Sequence, residues 1–163
     1  MNIIPLSAAH WPAVAAIYAE GIATGTATFA TELPTWDAWD RDHLPTCRLV
    51  ATDDAGAVLG WAALSPVSGR CVYVGVAEVS VYIAAAARGQ GLGRALLAAL
   101  VAESEQQQLW TLQAGIFPQN AASVALHEAL GFRLVGRRER IGQLRGQWQN
   151  TLLLERRSTV VGV

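Results

Sequence analysis

Val81-Tyr82-Ile83-Ala84-Ala85-Ala86-Ala87-Arg88-Gly89-Gln90-Gly91-Leu92-Gly93-Arg94, followed by the apolar residues 95–101, reads as a strand, a glycine-rich turn and a helix. Glycines at alternate positions let successive backbone N–H groups turn into one concavity. The following helix adds its own unpaired N–H groups and the positive end of its dipole. Such a turn is suited to holding phosphate.

Two common occupants of glycine turns fit poorly. A dinucleotide fold needs G-x-G-x-x-G at an early strand–helix turn and an acid about 20 residues on at a strand end. Here the spacing is G-x-G-x-G past mid-chain, and Glu103 and Glu105 lie within the helix. A P-loop needs a Gly-Lys-Ser/Thr ending, and the turn has no lysine. A plain tight strand-to-helix connection is the remaining alternative.

Outward from the turn, residues 71–83 form one long strand candidate, with a bend or bulge expected near Gly75 and Ala77. Before it, residues 49–52 and 58–65 are apolar runs around Asp53-Asp54-Ala55-Gly56, a hairpin signature. Residues 2–6 suggest a first strand. A helix opening over residues 7–12 carries Val14, Ile17 and Tyr18 on one face, and Gly21 and Gly25 are expected to end it. Thr35 caps a short helix bearing Trp36 and Trp39. After the turn, Leu92, Leu96, Ala99 and Leu100 mark a helix whose solvent end is residues 103–108. Residues 109–117 follow as a strand, Asn120 caps a helix over residues 123–130, and Gly131 closes it. Strands from Phe132 and over residues 151–154 complete the order β, α, α, β, β, β, α, β, α, β, β. That order gives one α/β domain, a mixed sheet with helices on both faces and a single βαβ crossover at the glycine turn.

A chain of 163 residues can bury a core without staples, and a formal net charge of -1 gives no basic surface for nucleic acid. No stretch of about 18 apolar residues and no basic leader occurs, so a cytoplasmic protein without membrane partners is expected. Cys47 and Cys71 are isolated, in no metal-binding spacing, and read as reduced structural thiols.

Arg88-Gly89-Gln90-Gly91-Leu92-Gly93 resembles the Arg/Gln-x-x-Gly-x-Gly/Ala signature of the GCN5-related N-acetyltransferase (GNAT) family, whose turn holds the pyrophosphate of acetyl-coenzyme A. Residues 120–132, Asn-Ala-Ala-Ser-Val-Ala-Leu-His-Glu-Ala-Leu-Gly-Phe, resemble that family's Asn-x-x-Ser-x-x-Leu-Tyr/His-x-x-x-Gly-Phe element. The resemblance covers the chain from Ile3 to about Leu154 and is nearest to phosphinothricin and methionine-sulfoximine N-acetyltransferases. Thr28-Phe29-Ala30-Thr31-Glu32 and Glu78-Val79-Ser80-Val81-Tyr82-Ile83 match their loop and strand motifs. Asn150 stands where those enzymes usually show Asp in Gly-x-Trp-x-Asp. The resemblance implies a single GNAT domain over residues 1–156 with a tail over 157–163, and a mostly antiparallel sheet splayed at the cofactor site.

Acetylating an amine requires the neutral amine, and for an α-amino group of pKa about 8 a modest base suffices. Glu78 is the candidate: a carboxylate in mid-strand within an apolar run must be paired, hydrogen-bonded or facing a cleft. A solvated strand face is its bland alternative. His127 becomes a second candidate, as base, relay or acid, through its place in the family motif. The resemblance further implies that Val81, Tyr82 and Ile83 receive the pantetheine arm along their backbone. Arg88, Gly89, Gln90, Gly91, Leu92, Gly93 and Arg94 would hold the phosphates, with Asn120 and Ser123 beside the arm. It implies Phe29, Thr31, Glu32, Arg70 and Tyr73 as walls of the acceptor site, a small-molecule amine as partner, acetyl-CoA as cosubstrate with no metal, and a homodimer. Direct attack on the thioester is expected, because neither cysteine lies in an activating motif. Acetylation of a protein N-terminus, a polyamine or an antibiotic, or a non-catalytic acyl-CoA-binding domain, are the alternatives.

Overall fold

A computed structural model describes all residues, Met1–Val163. Seven strands form one sheet: β1 (Asn2–Pro5), β2 (Arg48–Thr52), β3 (Val58–Pro66), β4 (Val76–Ile83), β5 (Thr111–Ile116), β6 (Arg133–Leu144) and β7 (Gln147–Arg157). Their spatial order is β1-β2-β3-β4-β5-β7-β6. Every neighbouring pair is antiparallel except β4 and β5. That parallel pair needs a crossover, which α3 (Leu92–Gln106) supplies. The other helices are α1 (Trp11–Thr24), α2 (Trp36–Asp42) and α4 (Ala121–Glu128).

Alternation along the strands divides the core in two. Leu49, Ala51, Ala62, Leu64, Leu112 and Ala114 point towards α3, where Leu96, Leu97 and Leu100 are completely buried. Each such leucine contributes about 1.5–3 kcal/mol by leaving water. Val50, Trp61 and Ala63 point the opposite way and pack with Val14, Ile17 and Trp39 of α1 and α2. The tryptophans there form an interlocked group, with Trp39 edge-on to Trp61 at 5.6 Å.

The predicted order of elements is the observed one, with local corrections. Residues 71–83 are not one strand: Cys71–Tyr73 wind into a short 3-10 turn and β4 starts only at Val76. Gly75 lies against the Trp110 ring, where a Cβ would come within 2.1 Å, and its carbonyl accepts from both Trp110 and Thr111. No bulge interrupts β4 along β3, which pair in unbroken register from Ala77 to Ile83. Gly25 ends α1 in the left-handed region, but Gly21 lies inside that helix because the Tyr82 ring occupies the place of its side chain. The polar end of α3 is also not simply solvated. Glu103 accepts the Cys47 N–H at 2.8 Å, Ser104 is buried, and Glu105 pairs with Arg156 at 2.9 Å. Cys47 is buried, and that burial, reinforced by Glu103, pushes its thiol up to about 11. It is therefore an unreactive thiol.

Candidate active site

The decisive geometry lies between β4 and β5. They pair at Val76–Thr111, Ala77–Leu112 and Glu78–Gln113 and then part, although β4 continues to Ile83 and β5 to Ile116. A cleft of about 920 Å³ opens at this fork. Beyond Glu78, backbone groups of β4 that face β5 have no strand partner, so an extended group can add there as a strand would.

At one end of the cleft, Gly89 (φ 73°) and Gly91 (φ 82°) adopt left-handed backbone with open space where a Cβ would stand. Gly91 caps α3, whose first internal bond runs from Ala95 N–H to the Gly91 carbonyl. The N–H groups of Leu92, Gly93 and Arg94 are thus unused by the helix. Gly93 has a different role from the other two: it sits in the first turn of α3, and a Cβ there would approach Leu126 of α4 at 3.3 Å. Arg88 and Arg94 are exposed at the cleft edge, Arg88 being tied by its Nε to the Ile83 carbonyl at 3.2 Å. Gln90 instead turns back to the Ala86 carbonyl and does not line the cleft.

Glu78 stands at the fork itself, half-buried, and accepts from Gln113 Nε2 at 2.8 Å. Glu78, Ser80 and Tyr82 share one face of β4, while Val79, Val81 and Ile83 pack into the core beneath α3. The Tyr82 ring stacks on Trp61 at 4.9 Å, and burial followed by the nearby Tyr18 raises its phenol well above the ordinary value.

Opposite, α4 presents His127, which is 2 % exposed. Its Nδ1 lies 2.7 Å from the Ser123 carbonyl, which can only accept, so Nδ1 carries the proton. Burial lowers the imidazole pKa, with the Ser123 bond acting weakly against it, and Nε2 has no protein partner. The ring is therefore neutral with one free, buried lone pair. Asn120 caps α4 by accepting the Ser123 N–H at 3.3 Å.

Of the residues expected at the acceptor site, Phe29 lines the cleft and packs edge-on to Phe117 at 4.8 Å. Thr31 is exposed and outside it, and Glu32 borders a smaller neighbouring cavity with Trp39, His43 and Trp61. Arg70 and Tyr73 are not brought to the cleft. They lie exposed on or beside the 3-10 turn that replaces the expected strand, the guanidinium 5.7 Å from the ring centre. Tyr18, Thr28, Ser80, Arg138, Ile141, Gly142 and Thr151 also line the cleft and were not anticipated. Ser80 had a signal in sharing Glu78's parity, and Thr28 in opening the loop motif that runs to Glu32. Gly142 is set against Phe29 through a register shift between β6 and β7 that no periodicity announces.

A glycine turn open at a helix start, a fork between two strands, and a carboxylate and a neutral imidazole lining one cleft are the features that an acyltransferase with a carrier-bound acyl group needs. In keeping with this, residues 13–132 match the Acetyltransferase (GNAT) family. The chain belongs to that family. It is 36% identical over 157 residues to the L-methionine sulfoximine/L-methionine sulfone acetyltransferase of Pseudomonas paraeruginosa, covering 90% of this chain and 88% of that protein. It is 40% identical over 152 residues to the phosphinothricin N-acetyltransferase of Alcaligenes faecalis, covering 89% and 76%. The crystal structure of a GNAT superfamily phosphinothricin acetyltransferase from Sinorhizobium meliloti in complex with AcCoA superposes with a TM-score of 0.89 at 30% identity, covering 99% of this chain and 90% of that one.

Proposed function

We propose that this chain is an acetyl-CoA-dependent N-acetyltransferase acting on the α-amine of a small amino-acid analogue such as methionine sulfoximine, methionine sulfone or phosphinothricin. The observation that carries the reading is Glu78, a hydrogen-bonded carboxylate held where β4 and β5 part, on the face that shares the cleft with Phe29. Acetyl-CoA would supply an activated acetyl group. Gly89, Gly91 and the free N–H groups at the start of α3 suit its pyrophosphate, with Arg88 and Arg94 as counter-charges.

Glu78 accepts the proton of the acceptor's ammonium, leaving the amine lone pair free to attack. Backbone N–H groups of β4 beyond Glu78 stabilise the developing oxyanion. His127, neutral and with its lone pair on Nε2, fits a proton acceptor or relay. Donating a proton from Nε2 would require the imidazolium that burial disfavours. We place the enzyme in the cytoplasm as a homodimer. The exposed Arg70 and Tyr73, flanked by Val72 and Val74 at 59% and 73% exposure, suit a subunit contact.

Thiol release from acetyl-CoA, measured with amino-acid analogues, polyamines and N-terminal peptides as acceptors, tests the substrate class. Turnover with peptides alone would overturn it. Glu78→Gln is expected to lower kcat about 10²–10⁴-fold with the acetyl-CoA KM unchanged; an unchanged kcat removes Glu78 from the role of base.

A further inference from the structure

The acceptor half of the cleft needs a cation if its substrate is an amino acid, and Arg70 does not supply one there. Among the residues lining the cleft the cations are Arg88, Arg94 and Arg138, and the first two stand at the glycine turn. We propose that Arg138 of β6 binds the acceptor's carboxylate. This rests on the amino-acid reading above and assigns its anionic end to one side chain.

Arg138 pairs across the hairpin with Thr151, and its Nε donates to the buried Thr151 hydroxyl at 3.3 Å. That bond fixes the stem and directs the guanidinium along the sheet face. There it lies over Gly115 of β5, with Nη2 3.5 Å from the point a Cβ would occupy. That is ordinary van der Waals distance, so the guanidinium rests against β5 at this point. Neither Nη1 nor Nη2 donates to any protein group, and Arg138 takes part in no ion pair, whereas Arg48, Arg133 and Arg156 are each paired with a carboxylate. A planar fork with free parallel N–H groups on a cleft wall matches a carboxylate in two-point contact.

Its position relative to Glu78 follows from the strand. Gln113, which holds Glu78, and Gly115, which underlies Arg138, are two residues apart on the same face of β5. Two residues of strand span about 7 Å. That spacing of the two supports on β5 is of the order that an α-ammonium and its own carboxylate need when each is hydrogen-bonded at about 2.8 Å. Glu78 and Arg138 thus grip the two charged groups of an amino-acid backbone. The side chain of the acceptor is left to the apolar wall of Phe29, Phe117 and Ile141.

The test compares wild type, Arg138→Ala and Arg138→Lys in thiol release, using methionine sulfone, its carboxamide and the amine lacking the carboxylate. Arg138→Ala is expected to raise the KM for methionine sulfone about 10–100-fold, the range for a lost hydrogen bond to a charged group. The acetyl-CoA KM and the kcat/KM for the two analogues without a carboxylate should stay within about twofold of wild type. Arg138→Lys should recover part of the loss, because an ammonium keeps the charge without the fork. Equal losses with all three acceptors, or none with methionine sulfone, overturn the assignment, as does a wild type that uses the carboxamide as well as the acid. A wild type that acetylates other amines but no amino acid overturns the substrate reading, and this assignment with it. Melting temperatures of both variants separate a folding defect from lost recognition.

Discussion

The Ser123 carbonyl fixes the proton of His127 on Nδ1, and burial then keeps the ring from taking a second one. His43 is in a like state, its pKa lowered first by burial, with a partly opposing bond to the Trp39 carbonyl. Both therefore bind protons less readily folded than unfolded, where the value is near 6.5. The unfolded chain gains protons as pH falls below that value while the folded chain does not, so stability is full above pH 6.5 and declines towards the depressed folded pKa values. Melting temperature should fall between pH 7.5 and 5.5, and His127→Gln should shallow the fall; a wild type with a flat profile over that range contradicts the neutral assignment. At this scale the sequence was informative where alternation decides a face, as for Glu78 and Tyr82. For Arg70 and Tyr73, which the family resemblance assigned to the acceptor site, it did not show that β4 starts only at Val76, because the contact of Gly75 with Trp110 joins residues 35 positions apart.

The β6–β7 hairpin shows what a single element contributes to the site. Its register shifts between Arg138 and Gly142, and Arg140 adopts φ 47° in the shifted segment. Asn150 on β7 holds that segment, its Oδ1 accepting the Arg140 N–H at 2.8 Å. The result sets Gly142 against the Phe29 ring, where a Cβ would stand 3.0 Å away. An aspartate offers the same acceptor, so the exchange of Asp for Asn that sets this chain apart from the enzymes it resembles preserves the bond. Asn150→Asp should keep acceptor KM and kcat within about twofold of wild type. Asn150→Ala, by leaving the Arg140 N–H without its partner, should cost about 0.5–1.5 kcal/mol in stability by denaturant titration and raise the acceptor KM several-fold. Equal KM values in both variants would separate the bulge from the acceptor wall. None of this was legible beforehand: Arg137, Arg138, Glu139 and Arg140 are four charged residues in a row, with no apolar alternation to mark a shift.

For the molecule as a whole, turn chemistry and periodicity were enough to order the eleven elements, but not to place β7 between β5 and β6. That insertion depends on contacts between residues far apart in the chain, and it determines where the C-terminus packs. β7 runs to Arg157, one residue past the expected domain edge at 156, and the segment after it folds back on the body. Ser158 is buried, donates its N–H to the Trp110 carbonyl at 2.8 Å, and adds its hydroxyl to the Glu105 carboxylate at 3.0 Å. The same carboxylate is held by Arg156, the chief reason its pKa lies below the usual range. Val161 is buried, and Arg157 donates to the carbonyls of Val161 and Gly162. Trp110 thus lies between Gly75 at the start of β4 and Gly162 at the end of the chain. Ending the chain after Arg157 should therefore remove about 2–4 kcal/mol, from one buried valine and several hydrogen bonds. For a domain of this size that is a loss of roughly 5–15 °C in Tm, readable by calorimetry. Acetyl transfer at 25 °C should persist, because no residue after Arg157 lines the cleft. An unchanged Tm would show that residues 158–163 are a tail after all, while loss of activity in a folded truncated protein would show that this closure supports the fork between β4 and β5.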